Sequence, residues 1–206
     1  MCAVHGAHDG MYLDMENIQE VKVHMKEWSN PTAAGLVALA VACFCFFALL
    51  MGYVGPAAKP LIGCWLIGGF VIQVVVGILD LKGGNHAGGN VFLFFSAFFM
   101  LVSGMGMLIG SFMTVDARID GWAWLALTFV LWLWTPAFFK KINILSFIVL
   151  AIDIALPFIA LKDLGIVGAG LMPIPAYALL VAAFLAIYLS AAIVVNTAFG
   201  RKIYPM

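Results

Sequence analysis

The charged residues of this chain are few and widely spaced, and they divide it into long apolar stretches. Each of six stretches contains at most one charged residue, and they lie between positions 27 and 59, 59 and 80, 82 and 116, 120 and 140, 141 and 162, and 163 and 201. An α-helix needs about 20 predominantly apolar residues to cross a bilayer. The pattern therefore predicts six membrane-spanning helices, at residues 32–54, 60–80, 90–113, 121–139, 143–161 and 174–197.

The composition fits the same class of protein. Hydrophobic residues make up 65% of the 206 residues and charged residues 10%, whereas soluble domains have about 45–50% and about 25%. We therefore expect an all-α polytopic membrane protein. One transmembrane domain, residues 30–200, would lie between an N-terminal tail, residues 1–29, and a C-terminal tail, residues 201–206. The formal net charge is zero, so nothing indicates nucleic acid as a partner.

The basic residues predict the orientation in the membrane, because lysine and arginine near span ends stay on the cytoplasmic side. Six spans place both termini on one side. That side would hold seven basic residues: Lys22, Lys26, Lys82, Lys140, Lys141, Arg201 and Lys202. The other side would hold Lys59, Arg118 and Lys162. Both termini are therefore predicted to be cytoplasmic.

The N-terminal tail contains a short amphipathic pattern in MENIQEVKVHMKEW. Four apolar residues would share one face of a helix lying at the membrane interface: Ile18, Val21, Met25 and Trp28. An unfolded tail is the alternative interpretation. His5 and His8 in this tail are not expected to bind metal, and no cysteine pair has the spacing of zinc ligands. We expect no metal and no cofactor.

Polar residues inside the spans recur at helical spacing. Four pairs share or nearly share a helix face: Gln73 and Asp80, Ser96 and Ser103, Ser146 and Asp153, and Tyr188 and Asn196. Polar groups in hydrocarbon need partners or water. These pairs therefore either line one water-filled pathway or join helices by hydrogen bonds.

Asp153 is an acid in the middle of a predicted span. Pro157 cannot donate a hydrogen bond to the Asp153 carbonyl, so the helix opens beside this acid. Intramembrane acids are costly and mark proton or cation sites, although a protonated acid with a packing role is the alternative. No span interior carries histidine, which disfavours a haem subunit, and no phosphate loop or catalytic triad is present. We do not expect an enzyme.

Three segments carry a family resemblance. NPTAAGL (Asn30–Leu36) resembles the Asn-Pro-Ala-Pro-Leu-Gly-Leu signature of the acetate uptake transporter family. QVVVGILDLKGGNHAGGNVF (Gln73–Phe92) and AIYLSAAIVVNTAFGRKIYPM (Ala186–Met206) resemble its middle segment and its ending, in the same order and at the family spacing. Departures include Ala33 for the second proline of the signature, Asp80 for a glutamate, and Phe95 for a tyrosine.

The resemblance implies six-helix protomers that assemble as a homo-oligomer, a hexamer in bacteria, in the inner (plasma) membrane. Each protomer would contain a pore for acetate and related small monocarboxylates, with succinate as a further candidate. The pore would narrow at three apolar side chains, which the motifs align with Leu39, Phe95 and Ile152. These residues are therefore the expected constriction.

A substrate site is expected at two helix starts. The first N–H groups of a helix lack internal partners and attract anions. Asn30 and Pro31 can start the first span, and Asn85 and Asn90 the third. Asn30, Asn85, His86, Asn90 and Gln73 are therefore the candidate substrate-binding residues.

An apolar constriction favours proton-coupled transport or passage of the uncharged acid, because a bare anion loses its hydration there. The candidate proton-handling residues are Asp80, His86 and Asp153; histidine titrates near physiological pH.

Two other functions fit the same pattern of spans. The first is a channel for a neutral small solute such as urea or ammonia. The second is a membrane anchor subunit that transports nothing. The segments NPTAAGL and FGRKIYP favour the transporter over the anchor.

Overall fold

The computed structural model describes residues 30–140 and 142–206, and in these residues all regular structure is helical. Six long helices follow one another: α1 (Thr32–Leu50), α2 (Lys59–Lys82), α3 (His86–Phe112), α4 (Arg118–Phe138), α5 (Ile144–Asp163) and α6 (Pro173–Phe199). Short 3-10 turns, Pro56–Ala58 and Ala169–Leu171, lead into α2 and α6. All six helices are long and apolar enough to cross a membrane, which confirms the predicted number and order of spans. The expected N-terminal interfacial helix lies outside the described residues.

Two helix boundaries differ from the predicted ones by four residues each. The first helix ends at Leu50 rather than at 54, because Gly52 adopts a positive φ of 71° and turns the chain. The third helix begins at His86 rather than at 90. Asn85 caps it there, since its side-chain oxygen accepts a hydrogen bond from the Gly88 amide at 3.1 Å.

The six helices form a closed bundle. Helix α1 packs against α2 and α6, α2 packs against α3, and α6 and α4 both pack against α5. Aromatic rings complete the contact between α3 and α4: Phe94 lies 6.1 Å from Trp134 and Phe99 lies 5.9 Å from Trp124, between ring centroids. Ser190 of α6 donates a hydrogen bond to the Ala33 carbonyl at 2.9 Å. The start of α1 and the end of α6 therefore lie at the same end of the bundle, which we call the terminal end.

The backbones of α2 and α3 touch at two glycine pairs. A Cβ atom on Gly63 would lie 2.7 Å from the Gly104 carbonyl oxygen, and one on Gly89 would lie 2.9 Å from that of Gly77. One more residue separates the two contact points along α3 than along α2. Between them, Phe95–Val102 is π-helical. A π-helix accommodates an additional residue within a continuous helix, so it keeps both glycine contacts in register.

The outer surface of the bundle is apolar. Large hydrophobic side chains are exposed on every helix, for example Trp65 on α2, Phe112 on α3 and Leu133 on α4. Buried polar side chains, by contrast, form hydrogen bonds to other side chains or to backbone carbonyls inside the bundle. This distribution is the one required of a helical bundle whose solvent is lipid. The fold is that of a multi-pass membrane protein.

Candidate functional site

A small cavity lies inside the half of the bundle nearer to the terminal end. Its volume is about 20 Å3, and one water molecule needs about 10–15 Å3. Leu39 on α1, Phe95 on α3 and Ile152 on α5 all line it. The structure thus brings together the three residues that the family resemblance aligns with an apolar constriction.

Gln73 on α2 contributes the polar side chain of this cavity lining. It is fully buried, and its Nε2 donates a hydrogen bond to the Gly35 carbonyl at 3.2 Å. The other end of the amide, Oε1, has no hydrogen-bond partner among the described residues. This unpaired acceptor therefore belongs to a residue that lines the same cavity as Leu39, Phe95 and Ile152, which we call the apolar ring.

A large cavity of about 560 Å3 opens at the opposite end of the bundle. Two lysines and two aspartates stand in its lining: Lys59, Lys162, Asp120 and Asp163. Lys162 pairs with Asp163 at 3.1 Å. The formal charges of this set cancel, so the lining presents no strong field for steering anions.

A second ion pair lies near this opening, between Asp116 in the loop before α4 and Arg118, the first residue of α4. Arg118 donates hydrogen bonds to Asp116, at 2.6 Å for the shortest. These bonds lower the pKa of the Asp116 carboxyl to about 2. Asp116 is therefore ionised at any physiological pH and neutralises Arg118.

Aromatic rings separate the two cavities. Phe99 lines the large cavity, and its ring centroid lies 5.4 Å from that of Phe95, which lines the small one. Phe46 and Trp124 contact Phe99 at 5.0 and 5.9 Å. Phe95 and Phe99 both belong to the π-helical segment of α3, a type of helix that is frequent at functional sites.

The helix starts at the terminal end are joined by a buried carboxylate. Asp80, at the end of α2, accepts hydrogen bonds from Thr32 Oγ1 at 3.1 and 3.2 Å and from Asn85 Nδ2 at 3.1 Å. Asn30 Oδ1 accepts from the Thr32 amide at 2.9 Å. Asp80 thus ties together the starts of α1 and α3, and both asparagines act at helix starts as predicted.

The remaining candidate residues at this end are exposed. Asn90 Nδ2 donates to the His86 carbonyl at 2.8 Å, one turn back in α3. Because Asn30, Asn85 and Asn90 each bond to their own helix start, their side chains form part of the protein scaffold there. A role in substrate binding stays a prediction for them and for His86.

Comparison with solved structures gives a strong match in fold. The chain superposes on a structure described as the bacterial acetate channel SatP with a TM-score of 0.77. The superposition covers 87% of this chain and 99% of the SatP chain, at 21% sequence identity. The chain has the SatP fold. The resemblance seen in the sequence is confirmed at the level of the fold. No protein-family model matches the sequence, and no curated protein matches it.

Asp153 occupies a different part of the SatP fold from the cavities. It lies between α4 and α5, where Thr135 Oγ1 donates to its Oδ2 at 2.6 Å, and it lines neither cavity. Its backbone carbonyl, which Pro157 leaves without a helical donor, accepts a hydrogen bond from Trp132 Nε1 at 3.1 Å. Its Oδ1 has no partner among the described residues. Proton handling by Asp153 stays a prediction.

The four polar pairs do not meet on one pathway. Gln73 lines the small cavity and Ser103 the large one. The others bond to protein groups: Ser96 to its own helix, Ser146 to the Phe138 carbonyl, and Tyr188 and Asn196 to the folded-back residues 203–205. The pairs line no common cavity, and hydrogen bonds between helices hold two of them, Gln73 with Asp80 and Ser146 with Asp153.

Several residues of this site were missed from the sequence. Phe99, Trp124 and Phe46 stand between the cavities, but in a chain with 17 phenylalanines and 6 tryptophans an aromatic residue carries no individual signal. Thr135 and Trp132 were missed as partners of Asp153 because they lie on another helix. Their spacing from Asp153 follows no local pattern.

No group of three or more metal-ligating side chains occurs in the described ranges.

Proposed function

We propose that this protein belongs to the acetate uptake transporter family and carries acetate and related small monocarboxylates across the plasma membrane, with succinate as a further candidate. The observation that carries the proposal is the SatP fold, which spans 99% of a chain described as an acetate channel. The cavity lined by Leu39, Phe95 and Ile152 supports it, because the family motifs align these same three residues with an apolar constriction.

The pathway of the proposal runs through one protomer. Substrate leaves the large cavity past Phe99, passes the ring of Leu39, Phe95 and Ile152, and reaches the terminal end. The small cavity holds no more than about one or two waters, so the ring must open for acetate. The Phe95 and Phe99 rings, which meet edge to face, are the groups that move.

Acetate crosses this ring as the uncharged acid or together with a proton. An ionised carboxylate loses its hydration among Leu39, Phe95 and Ile152 and finds no cation there, and burial of an unpaired charge is very costly. The balanced charges of the large cavity support the same view. His86 and Asp80 at the terminal end, and Asp153 between α4 and α5, are the residues proposed to handle the proton.

The test is flux of labelled acetate into liposomes that contain only this protein, with and without an inward proton gradient. We expect flux above that of empty liposomes and stimulation by the gradient. Equal flux with and without the gradient would retain acetate transport and remove proton coupling. No flux through folded protein would remove the proposal.

A channel for a neutral small solute remains the second candidate, because the large cavity has no excess positive charge and Gln73 is itself neutral. Competition separates the two functions. If acetate is the substrate, formate and propionate should reduce labelled acetate flux, whereas urea should not. Urea competition at equal concentration would favour the neutral solute.

A further inference from the structure

We infer that Gln73 is a specificity-determining residue whose Oε1 accepts the hydrogen of the protonated carboxylic acid as it passes the apolar ring. The inference rests on the proposed function and deepens it, since it names the form of the substrate and the atom that recognises it. It starts from an unpaired, fully buried acceptor in the lining of the small cavity.

The orientation of the Gln73 amide follows from its partner. The Gly35 carbonyl can only accept a hydrogen bond, so it must face the amide nitrogen, as the 3.2 Å contact shows. The oxygen therefore points away from Gly35. Position 35 requires glycine, because a side chain there would overlap the ring of Phe92. The free end of this amide is thus an acceptor, and not a donor, on a residue that lines the cavity.

An acceptor discriminates between the two forms of a carboxylic acid. The protonated acid has an O–H donor that can bond to Oε1 while it is out of water. The carboxylate has only acceptors, so it would face Oε1 with like partial charge and leave both groups unsatisfied. A site that offers one hydrogen-bond type rejects ligands that cannot match it, because buried polar groups are then left unpaired. The neighbouring Leu39, Phe95 and Ile152 offer the anion no alternative partner.

The test compares labelled acetate flux in liposomes through the wild-type protein, Gln73→Met, Gln73→Glu and Ser190→Ala. Methionine keeps the length of the side chain and removes the acceptor. Ser190→Ala is the matched control, because Ser190 is also buried and also donates to an α1 carbonyl, that of Ala33, but lines neither cavity. Elution volume and thermal unfolding verify that each variant is folded.

We expect Gln73→Met to reduce acetate flux about tenfold, the order of effect of losing one hydrogen bond, and Ser190→Ala to leave it near the wild-type value. Gln73→Glu gives the sharper readout. A neutral glutamic acid offers the same donor to Gly35 and the same free acceptor, so flux should be near that of the wild-type protein at low pH. As the pH rises and the glutamate ionises, its flux should fall more steeply than wild-type flux.

Three results would overturn the inference while leaving acetate transport intact: wild-type flux through Gln73→Met, an equal loss in Ser190→Ala, or identical pH profiles for Gln73→Glu and the wild-type protein. Absence of acetate flux through the wild-type protein would instead remove the proposed function and the inference with it. The two failures are therefore distinguishable within one set of measurements.

Discussion

Two neighbouring phenylalanines in α3 have different surroundings. Phe95 lines the small cavity opposite Leu39 and Ile152, whereas Phe94 lines neither cavity and packs against Trp134 of α4. Both are buried. Truncation of either residue should therefore destabilise the protein to a similar extent, about 3–5 kcal/mol for a buried phenylalanine, and only one of them should change what passes through the bundle.

We expect Phe95→Ala to raise the flux of larger acids relative to acetate, because the ring that narrows the pathway is removed. The measurement is the ratio of labelled propionate or butyrate flux to acetate flux in liposomes. In Phe94→Ala this ratio should stay that of the wild-type protein even if total flux falls with stability. A ratio that rises equally in both variants would show that Phe95 has no special place in selectivity.

At the level of single residues, the sequence was informative only where a motif or a polar atom stood out. Leu39, Phe95 and Ile152 could be named because the family motifs supply a register; nothing in their chemistry separates them from other apolar residues of a chain that is 65% hydrophobic. Gln73 could be named because a polar side chain in a span needs a partner or water. That its amide has one bonded and one unpaired end depends on Gly35, on another helix, and could not be predicted.

At the level of helices, the opened turn of α5 illustrates what one residue can and cannot predict. Pro157 indicates correctly that the Asp153 carbonyl has no donor in its own helix. The structure adds the replacement, since the indole N–H of Trp132 on α4 bonds to that carbonyl at 3.1 Å. The proline of α5 and the tryptophan of α4 therefore form one unit that joins these helices.

We expect Trp132→Phe to lower the free energy of unfolding by about 1–3 kcal/mol, the cost of leaving a carbonyl unpaired. In a Pro157→Ala background, the alanine N–H can bond to the Asp153 carbonyl, so the same substitution should cost less. Thermal unfolding in detergent of the two single variants and the double variant measures this coupling. Trp122→Phe is the control, because Trp122 is largely exposed. Equal losses in both backgrounds would show that the Trp132 indole does not replace the missing helical donor to the Asp153 carbonyl.

Helix number, order and approximate bounds followed from the spacing of charges, because lipid imposes length and apolarity on each span. The π-helical turn in α3 could not be predicted. FSAFFMLV contains no glycine or proline that marks it. It arises from the extra residue between two glycine contacts with α2, and those contacts exist only once both helices are packed. Local sequence sets where helices lie, and packing sets how they are wound.

At the scale of the whole molecule, the six crossings place the start of α1 and residues 200–206 at one end. The contact between Ser190 and Ala33 shows this directly. The loop between α5 and α6 lies at the other end, beside the large cavity that Lys162 and Asp163 line. The predicted side for the terminal end is the cytoplasm, because seven basic residues were assigned to it and three to the opposite end. The large cavity would then face the outside of the cell.

This orientation predicts opposite labelling of two exposed positions, Ile166 in the loop between α5 and α6 and Met206 at the terminal end. In a background with its four cysteines replaced by alanine, Ile166→Cys should react with a membrane-impermeant maleimide on intact cells. Met206→Cys should react only after the membrane is permeabilised. The cysteine-free protein gives the background signal. Labelling of Met206→Cys on intact cells, with Ile166→Cys protected, would reverse the orientation and place the large cavity on the cytoplasmic side. On its way into the cell, acetate would then meet Asp80 and the helix starts that it joins before it meets Phe99.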